Sequence, residues 1–159
     1  MGQVLSLYAT PVTADPTSDV ELQVALLLRL ADHNRRSNPR LDGTLERSAY
    51  LALRHLAATG PSGINEIADH LRLDASTVTR QVLAMEAAGL VGRERDERDG
   101  RRSIITATPA GHDALAATRE ARAAVYDDLL AQWSSADRHA LAALLGRLND
   151  ALDDRAARR

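Results

Sequence analysis

The sequence predicts a mainly α-helical chain interrupted once by a small β-hairpin. Three observations carry this. Apolar residues make up 45% of the 159 while Phe is absent and aromatics are only 3%, so a core must be built from Leu, Ala, Val and Ile, a palette that favours helices. Apolar positions recur at helical spacing along most of the chain, at a length that suits one domain with a real core. Only after Gly89 does the pattern change to one suited to extended backbone, around an Asp99-Gly100 turn signal.

Residues 1–17 carry two of the five prolines, little charge and no period, and read as an extension that is at least partly unordered, with VLSLY its one apolar piece. Ser18 with Glu21 forms a capping box, and VELQVALLLRLAD then runs apolar almost all round, which calls for partners on more than one side. Residues 34–43 form a polar loop containing a proline. A second helix over residues 44–58 stops at Gly60-Pro61.

Two short helical patterns follow with almost nothing between them. Ile64, Ile67, Ala68 and Leu71 mark the inner face of the first, Leu73-Asp74 makes the turn, and Asp74 caps the second. That second helix turns Val78, Val82 and Met85 inward, with Leu83 a further candidate, and stops at Gly89. Two helices joined by so tight a turn make a helix-turn-helix. Residues 91–95 and 101–108, with Ile104, Ile105 and several Thr, pair as a β-hairpin with a charged tip. Thr108-Pro109 then caps a helix patterned by Leu115, Thr118, Arg122, Val125, Leu129 and Trp133. It is expected to run about 25 residues, or roughly 37 Å, and a rod of that length needs a neighbour. Ser134 with Asp137 caps a last helix carrying Leu141, Leu144, Leu145, Leu148 and Leu152 on one stripe, a pattern that fits a dimer interface.

Several function classes drop out. The formal charge of −2 gives no support for nucleic-acid binding from net charge, so any basic patch must be local. The absence of Cys excludes disulfides, thiolate metal sites and cysteine redox sensing. No apolar run is long enough to span a membrane and the N-terminus lacks the pattern of a signal peptide, so a cytoplasmic location is expected. Phosphate-binding loops, nucleophile elbows and zinc-protease motifs are missing, and the acids Asp127-Asp128 are adjacent on a helix and point apart, so no enzyme is expected. His33, His55, His70, His112 and His139 show no close pair at metal-ligand spacing; each reads as an isolated surface or core residue, and neither metal nor cofactor is expected. Trp133, Tyr50 and Tyr126 read as packing residues.

With its inner face fixed, the second helix of the pair presents Ser76, Thr77, Thr79, Arg80 and Gln81 outward near its N-terminal end, the end that enters the major groove in helix-turn-helix proteins. Arg can take guanine O6 and N7 together, Gln suits adenine, and Ser or Thr can bond phosphates or bases. Arg72 at the turn is placed for a phosphate. From Arg93 to Arg102 five Arg face four acids, so placement matters more than net charge: Asp99 can brace one arginine while another enters a narrow minor groove. The plain alternatives are a solvated hairpin and an ordinary polar helix face.

Across Asp74 to Gly111 the sequence resembles the multiple antibiotic resistance regulator (MarR) family of winged-helix repressors. The resemblance rests on Thr77-Val78-Thr79-Arg80, on Met85-Glu86-Ala87-Ala88-Gly89-Leu90-Val91-Gly92-Arg93, on Asp96-Glu97-Arg98-Asp99-Gly100-Arg101, and on Ala107-Thr108-Pro109-Ala110-Gly111. It departs from the family pattern at Glu97, where proline is usual, at Ala107, where leucine is usual, and at Gly100, where many members carry the wing-tip arginine. The tip role then falls to Arg98 or Arg101, with Arg101 favoured.

The resemblance implies a winged helix-turn-helix lobe over residues 44–108 and dimerisation helices over residues 18–43 and 109–159. It implies a homodimer on a pseudo-palindromic DNA operator, a wing reading DNA through Arg98, Asp99, Arg101 and Arg102, and repression by promoter occlusion. It further implies release by a small phenolic or anionic ligand, in a pocket near His33, Arg47, Tyr50 and Arg54. The competing readings are a winged-helix module that contacts only protein, and a zinc-responsive regulator of the same fold.

Overall fold

In chain order the helices and strands follow the predicted sequence among the described residues, with a short 3₁₀ turn and one short strand added. The structure is a computed structural model that describes residues 15–95 and 102–158; the expected extension before residue 15 and the hairpin tip, with Arg98, Asp99, Gly100 and Arg101, lie outside the described residues. The chain divides into two units, residues 1–42 and 43–159.

The first unit holds α1 (Pro16–Ser37) and a short 3₁₀ turn (Pro39–Leu41). α1 starts two residues earlier than expected. Asp15 is its N-cap, accepting from the Thr17 amide at 3.0 Å and the Ser18 hydroxyl at 2.6 Å, and Pro16 occupies the first turn, where a missing N–H costs nothing. Ser18 therefore lies inside the helix, and its proton goes to the true cap. The helix also runs on through residues 34–37, assigned above to a loop, and closes at Asn38, whose amide donates to the Asn34 carbonyl at 3.0 Å. No residue of α1 is buried: Val20, Leu27 and Leu28 are each more than half exposed.

In the second unit, α2 (Arg47–Thr59) buries Ala52, Leu53 and Leu56 and ends at Gly60, whose φ of 83° needs glycine. The added strand is β1 (Ser62–Gly63), two residues long, which pairs antiparallel with the hairpin through Ser62↔Ile105 and Gly63↔Ile104. α3 (Ile64–Leu71) and α4 (Ala75–Ala87) form the helix-turn-helix; Arg72 makes the turn in a left-handed conformation, φ 53°, and Gly89 at φ 71° closes α4. β2 (Val91–Arg95) and β3 (Ser103–Ala107) form the hairpin, in register from Val91↔Ala107 to Arg95↔Ser103, and the sheet order is β1-β3-β2.

The core lies where these elements meet. Leu53 and Leu56 from α2, Ile67 from α3, Val78, Val82 and Met85 from α4, Val91 from β2, Ile105 from β3 and Leu115 from α5 (Pro109–Leu129) form one buried cluster. Leu83 is not among them; it is 53% exposed, because Val82 and Met85 already fill the inner face of α4. At the start of α5, Thr108 fastens the helix to the end of α4. Its amide donates to the Leu90 carbonyl at 3.1 Å, and its hydroxyl donates to the Gly89 carbonyl at 2.7 Å while accepting from the Gly111 amide at 3.0 Å. A Cβ on Gly111 would stand 2.1 Å from the Leu90 carbonyl oxygen, so only glycine permits this approach.

α5 spans 21 residues rather than about 25, ending at Leu129; residues 130–134 turn, and Trp133 lies beyond the helix, 46% exposed. Ser134 and Asp137 then cap α6 (Ser135–Ala157) as expected, the Ser134 hydroxyl accepting from the Asp137 amide at 3.1 Å. No residue of α6 is buried, and Leu144 and Leu152 are each 58% exposed.

Candidate DNA interface

The outward face of α4 is organised by its cap. Asp74 Oδ1 accepts from the Thr77 amide at 2.8 Å and from the Ser76 hydroxyl, and Oδ2 accepts from the Thr77 hydroxyl at 2.7 Å. The Ser76 and Thr77 hydroxyls and the Thr77 amide, in that order, hold the Asp74 carboxyl well below the usual carboxylate range. The Thr79 hydroxyl donates to the Ala75 carbonyl at 2.7 Å. Phosphate oxygens only accept hydrogen bonds, so these three hydroxyls, their protons committed within the helix, have lone pairs to accept with but no free proton to give a phosphate. Arg80 differs: it is exposed and makes no ion pair among the described residues. Gln81 is half-buried beside it, its Oε1 enclosed without a hydrogen-bond partner among the described residues. The predicted set thus stands on one surface, but its members differ in what they can offer.

The wing is tied to the helix-turn-helix by two charged contacts that sequence reasoning missed. On β2, Arg93 Nε stands 3.3 Å from Glu86 Oε2 of α4. The signal was in the motif, whose Glu and Arg fall seven residues apart across the Gly89 turn. On the other side of the hairpin, Arg102, expected above to read DNA from the wing, is exposed and engages an acid of α3. It donates to Glu66 Oε1 on α3, which β1 brings beside β3.

Arg72 is likewise engaged. Its Nε and Nη2 donate to the two carboxylate oxygens of Asp153 on α6, at 2.7 and 3.0 Å, which is the fork geometry a phosphate would need. This pair raises the Arg72 pKa and lowers that of Asp153. A phosphate contact by Arg72 therefore means exchanging one anion for another.

Of the expected effector residues, Arg47, Tyr50 and Arg54 share one face of α2, with both arginines exposed and Tyr50 half-buried. His33 is an exposed residue of α1, in the other unit. The structure adds Arg122 of α5, assigned above to the helix pattern: its guanidinium carbon lies 4.3 Å from the centroid of the Tyr50 ring, and its Nη2 donates to the Leu45 carbonyl at 3.1 Å. A lone Arg in an apolar period was the available sign.

The histidines are not all isolated. His55 of α2 and His70 of α3 stack, centroids 4.2 Å apart with 28° between planes. Burial first, and His70 second, push the His55 pKa down against the opposing pull of Glu66. The two lie on separate helices, so linear spacing did not show the pair. Among the described residues no group of three or more His, Cys, Asp or Glu is placed to hold a metal ion, and no helix is long and apolar enough to cross a membrane.

Comparisons with known proteins agree with this geometry. A family model described as the MarR family matches residues 45–103, the span from Leu45 through the wing. An uncharacterized HTH-type transcriptional regulator of Bacillus subtilis (strain 168), YxaD, is 37% identical over 140 residues, covering 88% of this chain and 97% of the relative. Among solved structures, a probable transcriptional regulator from Pseudomonas aeruginosa aligns with TM-score 0.63 at 28% identity, over 81% of this chain and 98% of its own. The PcaV transcriptional regulator from Streptomyces coelicolor, solved in complex with its natural ligand, aligns with TM-score 0.69 at 22% identity, over 89% and 99% of the two chains.

Proposed function

The chain belongs to the MarR family of DNA-binding transcriptional regulators, and from that premise we propose that it is a cytoplasmic, homodimeric repressor released from its operator by a small molecule. The observation that carries the reading is the outer face of α4: a cap that fixes the first turn, three hydroxyls set to accept, and Arg80 exposed beside them. Laid in the major groove, that face puts Arg80 in reach of guanine and Gln81 beside it, while Arg98 or Arg101 reaches the minor groove from the wing. Two copies related by a two-fold axis would read half-sites about one helical turn apart.

Dimerisation is supported by the leucines that α1 and α6 leave uncovered. Release is supported by the chemistry around Tyr50. Arg47, Arg54 and Arg122 supply cationic donors and Tyr50 an aromatic wall, a set suited to an aromatic or anionic ligand. Such a ligand acts only by preferring the dimer geometry that cannot bind DNA. The test is selection of duplex from a random pool by the purified full chain. A palindromic consensus bound with steep salt dependence is expected, and a chain that enriches no sequence and shows no salt-dependent binding would refute the reading.

A further inference from the structure

Arg102 stands immediately before β3, where the chain re-enters the sheet from the wing tip, and its side chain is directed to the start of α3. There Glu66 spans two partners. Oε2 accepts from the Gly63 amide at 2.7 Å, while Oε1 accepts from the Arg102 guanidinium. A Cβ placed on Gly63 would lie 2.9 Å from both Nε and Nη2 of Arg102, so the guanidinium rests on bare backbone that any other residue would obstruct. The feature joins the wing to the helix-turn-helix at a thin place. β1 and β3 pair through two residues each, Ser62↔Ile105 and Gly63↔Ile104, and the Arg102–Glu66–Gly63 bridge adds a contact two residues beyond Ile104, toward the wing tip. The ion pair is half-exposed, with side-chain exposures of 44% and 54%, so it adds little to the stability of the fold. What it fixes is direction.

We propose that Glu66 and Arg102 form a latch that sets the stance of the wing over DNA, with Arg102 a positioning residue acting through Glu66 rather than a phosphate contact. The inference rests on DNA binding by the winged-helix lobe. It makes an acid beside the DNA-reading surface necessary for binding. Simple electrostatics says the reverse: removing a carboxylate near a polyanion, and freeing an arginine in the same step, should tighten the complex. Gly63 supplies an independent handle. Its φ of −74° is ordinary for any residue, so Gly63→Ala changes no charge and strains no backbone, and its methyl group displaces only the flexible guanidinium.

The experiment measures binding of the full-length protein to a duplex selected from a random pool, across a salt series, for wild type, Glu66→Gln, Gly63→Ala, Arg102→Ala and the Glu66→Gln/Arg102→Ala pair, with thermal unfolding of each as control. The latch predicts that Glu66→Gln and Gly63→Ala each weaken binding by about tenfold with near-normal thermal midpoints, that the double variant is no worse than either of its singles, and that the salt slope of Arg102→Ala stays at the wild-type value. Equal or tighter binding by Glu66→Gln overturns it. So does a salt slope for Arg102→Ala reduced by about one, the mark of a lost phosphate contact. Should Glu66→Gln unfold, Gly63→Ala decides alone, and wild-type affinity in that variant overturns the latch. Failure of the wild-type chain to bind any duplex is a separate result, which removes the DNA-binding premise together with the latch.

Discussion

The lobe running from α2 to the first turns of α5 and the helices α1 and α6 are built from the same aliphatic residues, yet they end in opposite states. In the lobe, Ile67, Val82 and Ile105 are each 0% exposed, and six elements contribute to one cluster. α1 and α6, of 22 and 23 residues, have no fully buried residue. The difference teaches where each segment's folding information is completed. The lobe's apolar faces find one another within one chain, whereas the stripe of α6 keeps Leu144 and Leu152 each more than half exposed among the described residues.

The sharpest way to break the contrast is to remove core volume from the lobe. Ile67→Ala or Ile105→Ala is expected to cost about 3 kcal/mol of unfolding free energy, read from urea denaturation, because each leaves a cavity among fully buried neighbours. Gly111→Ala should be at least as damaging, since its methyl group meets backbone oxygen rather than a yielding side chain; a fully stable Gly111→Ala would contradict the close approach at Leu90.

Arginine placed at Leu145 and Leu148 tests the other side. The unfolding of the lobe should shift by no more than about 0.5 kcal/mol from these changes considered within one chain, while self-association measured by sedimentation should weaken by tenfold or more. Unchanged association would place the dimer surface elsewhere.

Arg80→Ala asks whether the two regions divide the labour of folding and recognition. Its thermal midpoint should match the wild type, while affinity for a selected duplex falls by about 1–3 kcal/mol and discrimination relaxes at one base position. Loss of stability instead would make Arg80 a structural residue.

The smallest effect concerns pH. Because His55 has its pKa depressed below the ordinary 6.5, the folded lobe binds fewer protons there than the unfolded chain. The stabilisation this represents is complete above that value and is lost as pH falls through it toward the folded pKa. Thermal midpoints recorded between pH 7.5 and 5 should therefore decline, and His55→Gln should flatten the decline; an unchanged slope would detach the His55–His70 stack from stability.

How much of this could be read from the sequence depended on whether the deciding partner was near in the chain. The helix-turn-helix was legible because Asp74, Val78, Val82 and Met85 lie within one helix and its cap. The start of α1 was misplaced because Asp15 and Ser18 are both good caps three residues apart, and Pro16, read only as a loop signal, decides between them. β1 has two residues, too short for alternation, and exists only because Ile104 and Ile105 are there to pair with it. In the site, the outward face of α4 followed from its inward face. Arg72 and Arg102 did not, since their carboxylates, Asp153 and Glu66, lie 81 and 36 residues away and no local pattern distinguishes an arginine bound for phosphate from one held by a distant acid.

The junction at Thr108 and Gly111 carries a mechanical consequence. With no side chain at Gly111 and with Thr108 bonded to the carbonyls of Gly89 and Leu90, the first turn of α5 is held against the segment that follows α4. α5 is then the handle of a lever whose fulcrum is this weld. Over its 21 residues, about 31 Å, a tilt of about 5° about this junction displaces the far end of the helix by close to 3 Å.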